Sequence, residues 1–146
     1  MAGLDRKATI LIVEDDSSLR IFYQSALAIG GYRVVTAQDG IDALWKIDNE
    51  LPDLVVLDLN LPRLGGRDVK AELKARAGTR DVPIMVVSGM ERSDLAQPDV
   101  DVVCHLRKPV TAEQLIAAVE TCLEGHSHSA PRDVPDIRPR NVRRPK

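Results

Sequence analysis

The chain has 146 residues, of which 44% are hydrophobic and only four are aromatic. This length suits one domain with one core, and the composition favours layers of strands and helices over an aromatic-rich sandwich. Residues 1–124 hold 14 Lys/Arg against 20 Asp/Glu, whereas residues 125–146 hold six against two. With two cysteines, no secretory leader and no apolar run near the length of a membrane span, the chain is expected to be cytoplasmic.

The first half of the chain predicts two strand–helix units. The β-branched run "TILIV" ends abruptly in three acids, which is typical of a short buried strand. Asp16 or Ser17 can cap a following amphipathic helix, which Gly30 and Gly31 should end. A second strand, "YRVVTA", leads to a helix that begins at about Gly40.

The second half continues this alternation. "LVVL" predicts a third strand, residues 67–77 an amphipathic helix ended by Gly78, and "VPIMVVSG" a fourth strand. The segment "MERSDLAQPD" allows at most two helical turns before Pro98, and "DVVCHL" predicts a fifth strand. Thr111 caps a last helix that should end near Gly125, so that residues 1–124 form the domain. The Pro-rich, basic residues 125–146 are predicted to be a disordered tail.

The alternation of apolar strands with helices predicts the fold class α/β, an open, doubly wound parallel sheet with helices on both faces. Ligands of such sheets bind at the carboxyl ends of the strands. The five side chains that follow predicted strands there are Glu14, Asp15, Asp58, Ser88 and Lys108.

The carboxylates after the first and third strands would repel one another if those strands are neighbours. Such repulsion either raises their pKa values or demands a cation. Magnesium suits the site, because this hard ion takes oxygen ligands and needs only one or two carboxylates beside waters and a phosphate.

Four strings in order, "LIVEDD", "LVVLDLNLPRLGG", "PIMVVSG" and "RKP", resemble the response-regulator receiver domain across residues 8–124. The resemblance implies a five-stranded, flavodoxin-like sheet of order 2-1-3-4-5. It also implies that Asp58 is phosphorylated by a histidine kinase or histidine phosphotransfer protein.

Other positions match the family's site residue by residue. Glu14 and Asp15 match the acidic pair that binds Mg²⁺, with Asp15 as the favoured direct ligand, together with Asp58 and the backbone carbonyl of Asn60. Ser88 matches the hydroxyl that accepts the signal, and Lys108 the ammonium beside the phosphoryl group. The Lys108–Pro109 bond resembles the family's cis peptide. Asn60 and Met90 are expected to flank the path of the water that removes the phosphoryl group.

The chain departs from the family at His105, where a Tyr or Phe usually acts as a switch with the hydroxyl residue. A smaller, titratable ring there departs from the usual relay between Ser88 and the surface, and His105 is read either as a partly buried spacer or as a pH-sensing switch. The segment between Ser88 and Lys108 is also shorter than usual, which predicts a short or irregular helix there.

These features predict a stand-alone receiver that signals through protein contacts to a downstream target, without a DNA-binding domain or a membrane segment. It is expected to be a monomer or a weak, phosphorylation-dependent dimer that catalyses only its own phosphorylation and dephosphorylation.

Four alternatives stay open. The chain is a piece of a longer regulator; it is an interaction module independent of phosphorylation; it is an aspartyl-phosphate phosphatase, although Asn60 replaces the second acid; or its basic tail binds nucleic acid or an acidic partner. A zinc site at Cys122, His126 and His128 lacks a fourth ligand.

Overall fold

A computed structural model describes residues 8–61, 63–89 and 102–129. The predicted helix after Ser88, the position of Met90 and residues 130–146 lie outside these ranges. The strands are β1 Thr9–Val13, β2 Arg33–Ala37, β3 Leu54–Leu57, β4 Ile84–Ser88 and β5 Val102–Arg107. The helices are α1 Ser17–Ile29, α2 Gly40–Asn49, α3 Gly66–Ala75 and α4 Ala112–Ser129.

The five strands form one parallel sheet in the order β2-β1-β3-β4-β5, which confirms the predicted fold. Val13, the last residue of β1, lies in register with Ala37 of β2 and with Leu57 of β3. The acids that follow β1 and β3 therefore start from adjacent positions at the carboxyl edge of the sheet.

Successive side chains of a strand point to opposite faces of the sheet, so that each face has its own hydrophobic core. On one face, Ile10 and Ile12 of β1 belong to a buried cluster with residues of α1 and α4, among them Leu27 and Leu115. On the other face, Leu11 and Val13 belong to a cluster with residues of α2 and α3, among them Ile47, Val69 and Leu73. The two faces are thus covered as the continuous apolar strands predict.

Polar side chains cap the starts of α1 and α4, as the sequence predicts. Asp16 accepts a hydrogen bond from the backbone N–H of Leu19 at 3.0 Å, which caps α1. Thr111 and Gln114 form a reciprocal capping box at the start of α4, with bonds of 3.1 Å and 2.9 Å. These bonds satisfy backbone donors that a helix start leaves without partners.

Two helix ends differ from the prediction. Helix α3 ends at Ala75, before the expected Ala77, and the hydroxyl of Thr79 donates to the carbonyl of Leu73 at 2.6 Å. Helix α4 continues to Ser129, beyond the predicted end near Gly125. The division of the chain into a domain over residues 1–124 and a disordered tail stays a prediction. An internal glycine costs only about 1 kcal/mol, too little to end a long helix by itself.

No helix within the described ranges is both long enough and apolar enough to cross a membrane.

Candidate functional site

Two buried carboxylates lie side by side at the carboxyl edge of the sheet. The backbone N–H of Asp58 donates to the carbonyl of Val13, and that of Glu14 donates to the carbonyl of Ala37, each at 3.0 Å. The two acids thus extend the strand pairing by one residue each. Glu14 is 2% exposed and Asp58 is 4% exposed, so neither is an ordinary surface carboxylate.

Asp15 completes an acidic cluster and is exposed to solvent, unlike its two neighbours. One carboxylate oxygen from each of Glu14, Asp15 and Asp58 can be chosen so that the three lie within 4.8 Å of one another. Such a spacing allows one cation to contact all three. The predicted convergence of these residues is therefore confirmed.

Lys108 follows β5 and places its ammonium between the two buried acids. Its Nζ lies 3.0 Å from Oε1 of Glu14 and 3.3 Å from Oδ2 of Asp58. Its backbone N–H donates to the carbonyl of Ser88 at 2.9 Å, and the Lys108–Pro109 peptide is cis, as predicted. The ammonium provides the partner that a buried carboxylate requires.

Backbone donors hold the remaining oxygens of the buried acids. The N–H of Asn60 donates to Oδ1 of Asp58 at 3.0 Å, and the N–H of Asp16 donates to Oε2 of Glu14 at 3.1 Å. Each carboxylate thus has one oxygen near Lys108 and one on a backbone amide. This arrangement restrains the rotation of both side chains.

Arg20 is a site residue that the sequence did not predict. Its Nη1 donates to the carbonyls of Glu14 and Asp15, at 2.9 Å and 3.3 Å. The guanidinium therefore stabilises the connection between β1 and α1 and places a positive charge next to the backbone of two of the acids. The sequence does contain one indication of this role. Arg20 lies one turn into a helix that starts beside the acidic loop, and side chains of a helix point back toward its N-terminus, so that this side chain can reach the loop.

The charges of the site shift the pKa values of two groups. Burial raises the pKa of Glu14, and the charge of Asp58 adds to this increase, while the bond to Lys108 only partly opposes it. Burial lowers the pKa of Lys108, but its contacts with Glu14 and Asp58 outweigh this effect, so that its pKa is raised. The ammonium is therefore charged at neutral pH, and it contacts both buried acids.

The donor set fits Mg²⁺. Three carboxylates contribute hard oxygen ligands, and the one ammonium leaves them an excess of negative charge. Asp15 and Asn60 are exposed, which leaves room for the waters that this ion usually keeps. The contribution of the Asn60 carbonyl stays a prediction.

Ser88 and His105 lie on the same face of the sheet. Ser88 is fully buried and pairs in register with Arg107, whereas His105 is half-buried and pairs with Val86, two residues before Ser88. Residues in register on parallel strands point to the same face, so the two side chains are separated by about 7 Å along the strand direction. Their role as a relay stays a prediction.

Two further sequence hypotheses fall partly or wholly outside the described ranges. These are the contribution of Met90 and the zinc set, whose two histidine side chains are not described.

Comparison with known proteins matches the family model "Response regulator receiver domain" to residues 10–120. The chain is similar to "Response regulator MprA" of Mycobacterium sp. (strain KMS), with 36% identity over 129 residues, covering 87% of this chain and 54% of that protein. It is also similar to "Probable transcriptional regulator ycf27" of Galdieria sulphuraria, with 40% identity over 90 residues, covering 62% and 34%. The chain thus spans about half the length, or less, of these curated relatives.

Solved structures of similar fold include NtrX from Brucella abortus, with a TM-score of 0.78 and 28% identity, covering 86% of this chain and 28% of that one. The chemotaxis protein CheY4 of Vibrio cholerae has a TM-score of 0.75 and 26% identity, covering 80% and 98%.

Proposed function

Because the chain belongs to the response regulator receiver domain family, we propose that Asp58 accepts a phosphoryl group from a phosphohistidine. The donor is a histidine kinase or a histidine phosphotransfer protein. The family places the chain in two-component signalling, whereas the residue that is phosphorylated and its donor are parts of the proposal. Receivers act as signal carriers whose chemistry is confined to their own phosphorylation and dephosphorylation.

The observation that carries this proposal is the environment of the Asp58 carboxylate. It is buried, it lies 3.3 Å from the Lys108 ammonium, and it belongs to the acidic cluster with Glu14 and Asp15. A buried acid with one cationic partner and two acidic neighbours has the surroundings of a nucleophile that works beside a metal.

The transfer forms a bond between a carboxylate oxygen of Asp58 and phosphorus, and breaks the bond between phosphorus and the histidine nitrogen. The electron pair of the broken bond stays on the imidazole. A carboxylate carries no proton to remove, so the step needs no general base. Bound Mg²⁺ supplies neutralisation of charge on the phosphoryl oxygens.

The residues of the chain have separate tasks in this step. The acidic cluster, with the Asn60 carbonyl, holds the metal. The Lys108 ammonium moves from a contact with the Asp58 carboxylate to one with the phosphoryl group formed on it. The N–H of Asn60, 3.0 Å from Oδ1 of Asp58, fixes the carboxylate for attack in line.

The response then passes through the hydroxyl of Ser88. The hydroxyl donates a hydrogen bond to the new phosphoryl group. The resulting shift of Ser88 changes the position of the His105 side chain on the same face of the sheet. The output is a change in the population of two surface conformations, which a downstream protein recognises. A cytoplasmic location and a monomer or weak, phosphorylation-dependent dimer belong to the same proposal.

The alternative that a specific observation favours is a receiver within a longer regulator. The curated relatives are roughly two to three times as long as the part that this chain matches. In that case the output is made by another segment, and the chemistry at Asp58 is unchanged.

Incubation with Mg²⁺ and acetyl phosphate, followed by intact-mass measurement, tests the phosphorylation. We expect one added phosphoryl group on the parent and none on Asp58→Asn. Asp81→Asn is the matched control, because Asp81 is an exposed aspartate before β4, at the opposite edge of the sheet, and this variant should be labelled like the parent. An unlabelled parent, or equal labelling of Asp58→Asn, contradicts the proposal.

A further inference from the structure

An ion pair links the connection between β3 and α3, residues 58–65, to the start of α2. Nη2 of Arg63 lies 2.8 Å from Oδ2 of Asp39. The side chain of Asp39 is 7% exposed, and its Oδ1 also accepts the backbone N–H of Asp42 at 2.8 Å, which caps α2. Asp39 thus joins two elements through its two carboxylate oxygens.

Close backbone packing accompanies this ion pair. A Cβ added to Gly40, the first residue of α2, would overlap the carbonyl oxygen of Leu64. A Cβ added to Gly66 would overlap the carbonyl oxygen of Asp58, and the N–H of Gly66 donates to the carbonyl of Leu59 at 3.2 Å. The start of α3 therefore packs against the backbone of Asp58, and the connection packs through Leu64 against the start of α2.

The backbone at Arg63 shows that the connection is constrained. Its φ is 61°, in the left-handed region that disfavours any residue with a Cβ. A glycine would adopt this φ without strain but would have no side chain for Asp39. The arginine therefore combines an unfavourable backbone conformation with a contact that a glycine lacks.

We propose that Asp39 and Arg63 are a positioning pair for the metal site. By holding the connection against α2, the pair keeps Asp58 and the carbonyl of Asn60 in the arrangement that binds Mg²⁺. Neither residue touches the metal; both act through the backbone between Asp58 and Gly66. This inference rests on the proposed function, because that function supplies the metal.

Arg63→Gln provides the main test, by titration calorimetry with Mg²⁺. Removing an arginine makes the protein more negative, which by charge alone would strengthen the binding of a cation. We expect the opposite, binding that is weaker by about three- to tenfold, below the effect of losing a partner in direct contact with a ligand. Arg63→Lys should restore part of the affinity, since it keeps the charge.

Arg33→Gln is the matched control. The side chain of Arg33 is 58% exposed, as is that of Arg63, and it pairs with Glu50 at 2.6 Å at the start of β2. This variant changes the net charge equally but leaves the connection untouched. Its Mg²⁺ affinity should equal or slightly exceed that of the parent.

Two other variants separate positioning from stability. Arg63→Gly relieves the left-handed strain, so it should be at least as stable as Arg63→Gln while binding Mg²⁺ equally weakly. Asp39→Asn keeps an acceptor that caps α2 but removes the charge, and it should also weaken binding.

A measurement without metal keeps the two proposals apart. In metal-free protein, the amides of Asn60 and Gly66 should exchange hydrogen several-fold faster in Arg63→Gln than in Arg33→Gln. Unchanged exchange at both amides, or Mg²⁺ affinity equal to that of Arg33→Gln, overturns the positioning role. If the parent binds no Mg²⁺, the proposed function loses its metal, and the exchange rates alone decide whether the pair holds the connection.

Discussion

Nζ of Lys108 lies 3.0 Å from Oε1 of Glu14, a carboxylate that is only 2% exposed. The same nitrogen reaches Asp58, so one ammonium compensates two buried acids. Lys108 therefore stabilises the fold of the metal-free protein in addition to its proposed part in phosphorylation.

Lys108→Gln should lower the free energy of unfolding of the metal-free protein by about 2 kcal/mol, because both acids lose their cationic partner. The partial exposure of the lysine, 21%, keeps this below the loss at a fully buried pair. Urea unfolding in EDTA measures the effect, and Mg²⁺ should restore much of the loss. Phosphorylation by acetyl phosphate should slow about a hundredfold.

Lys46→Gln is the control for this variant, since Lys46 is 32% exposed and pairs with Asp42, a partner that is itself 28% exposed. Its smaller loss of stability should not respond to Mg²⁺. A Lys108→Gln protein as stable as the parent in EDTA would show that the acids do not depend on the ammonium.

Glu14→Gln should separate stability from metal binding. The raised pKa of Glu14 shows that its ionised form is less favourable in the folded protein than in water, mainly because it is buried. In EDTA the variant should therefore be as stable as the parent or slightly more so. The increase in melting temperature that Mg²⁺ gives the parent should be strongly reduced, as one carboxylate ligand is lost. An equal Mg²⁺-induced shift in both proteins contradicts a ligand role for Glu14.

The strand ends were predictable because parallel strands bring their carboxyl ends to one edge. The apolar runs before Glu14, Asp58 and Ser88 place each residue at that edge. Carboxylates that meet there require a positive partner, and Lys108 follows the last strand at the same edge. This logic predicts neighbours along a sheet, and it therefore found the acidic cluster and Lys108.

Contacts between connections were not predictable in the same way. Arg20 and the Asp39–Arg63 pair depend on how loops approach one another, and helical or strand periodicity carries no information about that. The end of α4 was missed because Gly125 costs little compared with continued helical hydrogen bonding. The common face of Ser88 and His105 depends on the pairing of β4 with β5, which has an irregularity between Ile84 and Met85.

The raised pKa of Glu14 also determines how stability varies with pH without metal. A folded-state pKa above the ordinary value of 4.5 means that the folded protein binds more protons than the unfolded chain between the two values. The contribution of Glu14 is thus fully present below the unfolded value and is lost as the pH rises through the folded value. In EDTA, the stability of the parent minus that of Glu14→Gln should fall with rising pH across this window. A difference that stays constant or rises contradicts the shift.

The two cysteines should differ in reactivity. Burial raises the pKa of the Cys122 thiol to about 12, and the neighbouring Cys104 adds to the increase. Because only the thiolate reacts, native Cys122 should resist iodoacetamide at pH 8, whereas half-buried Cys104 should be modified first. Peptide mapping after short labelling identifies the modified residue, and labelling in urea provides the control in which both thiols react. Preferential labelling of Cys122 in the native protein would contradict its place on the buried face of α4, in the core cluster with Leu115 and Val119.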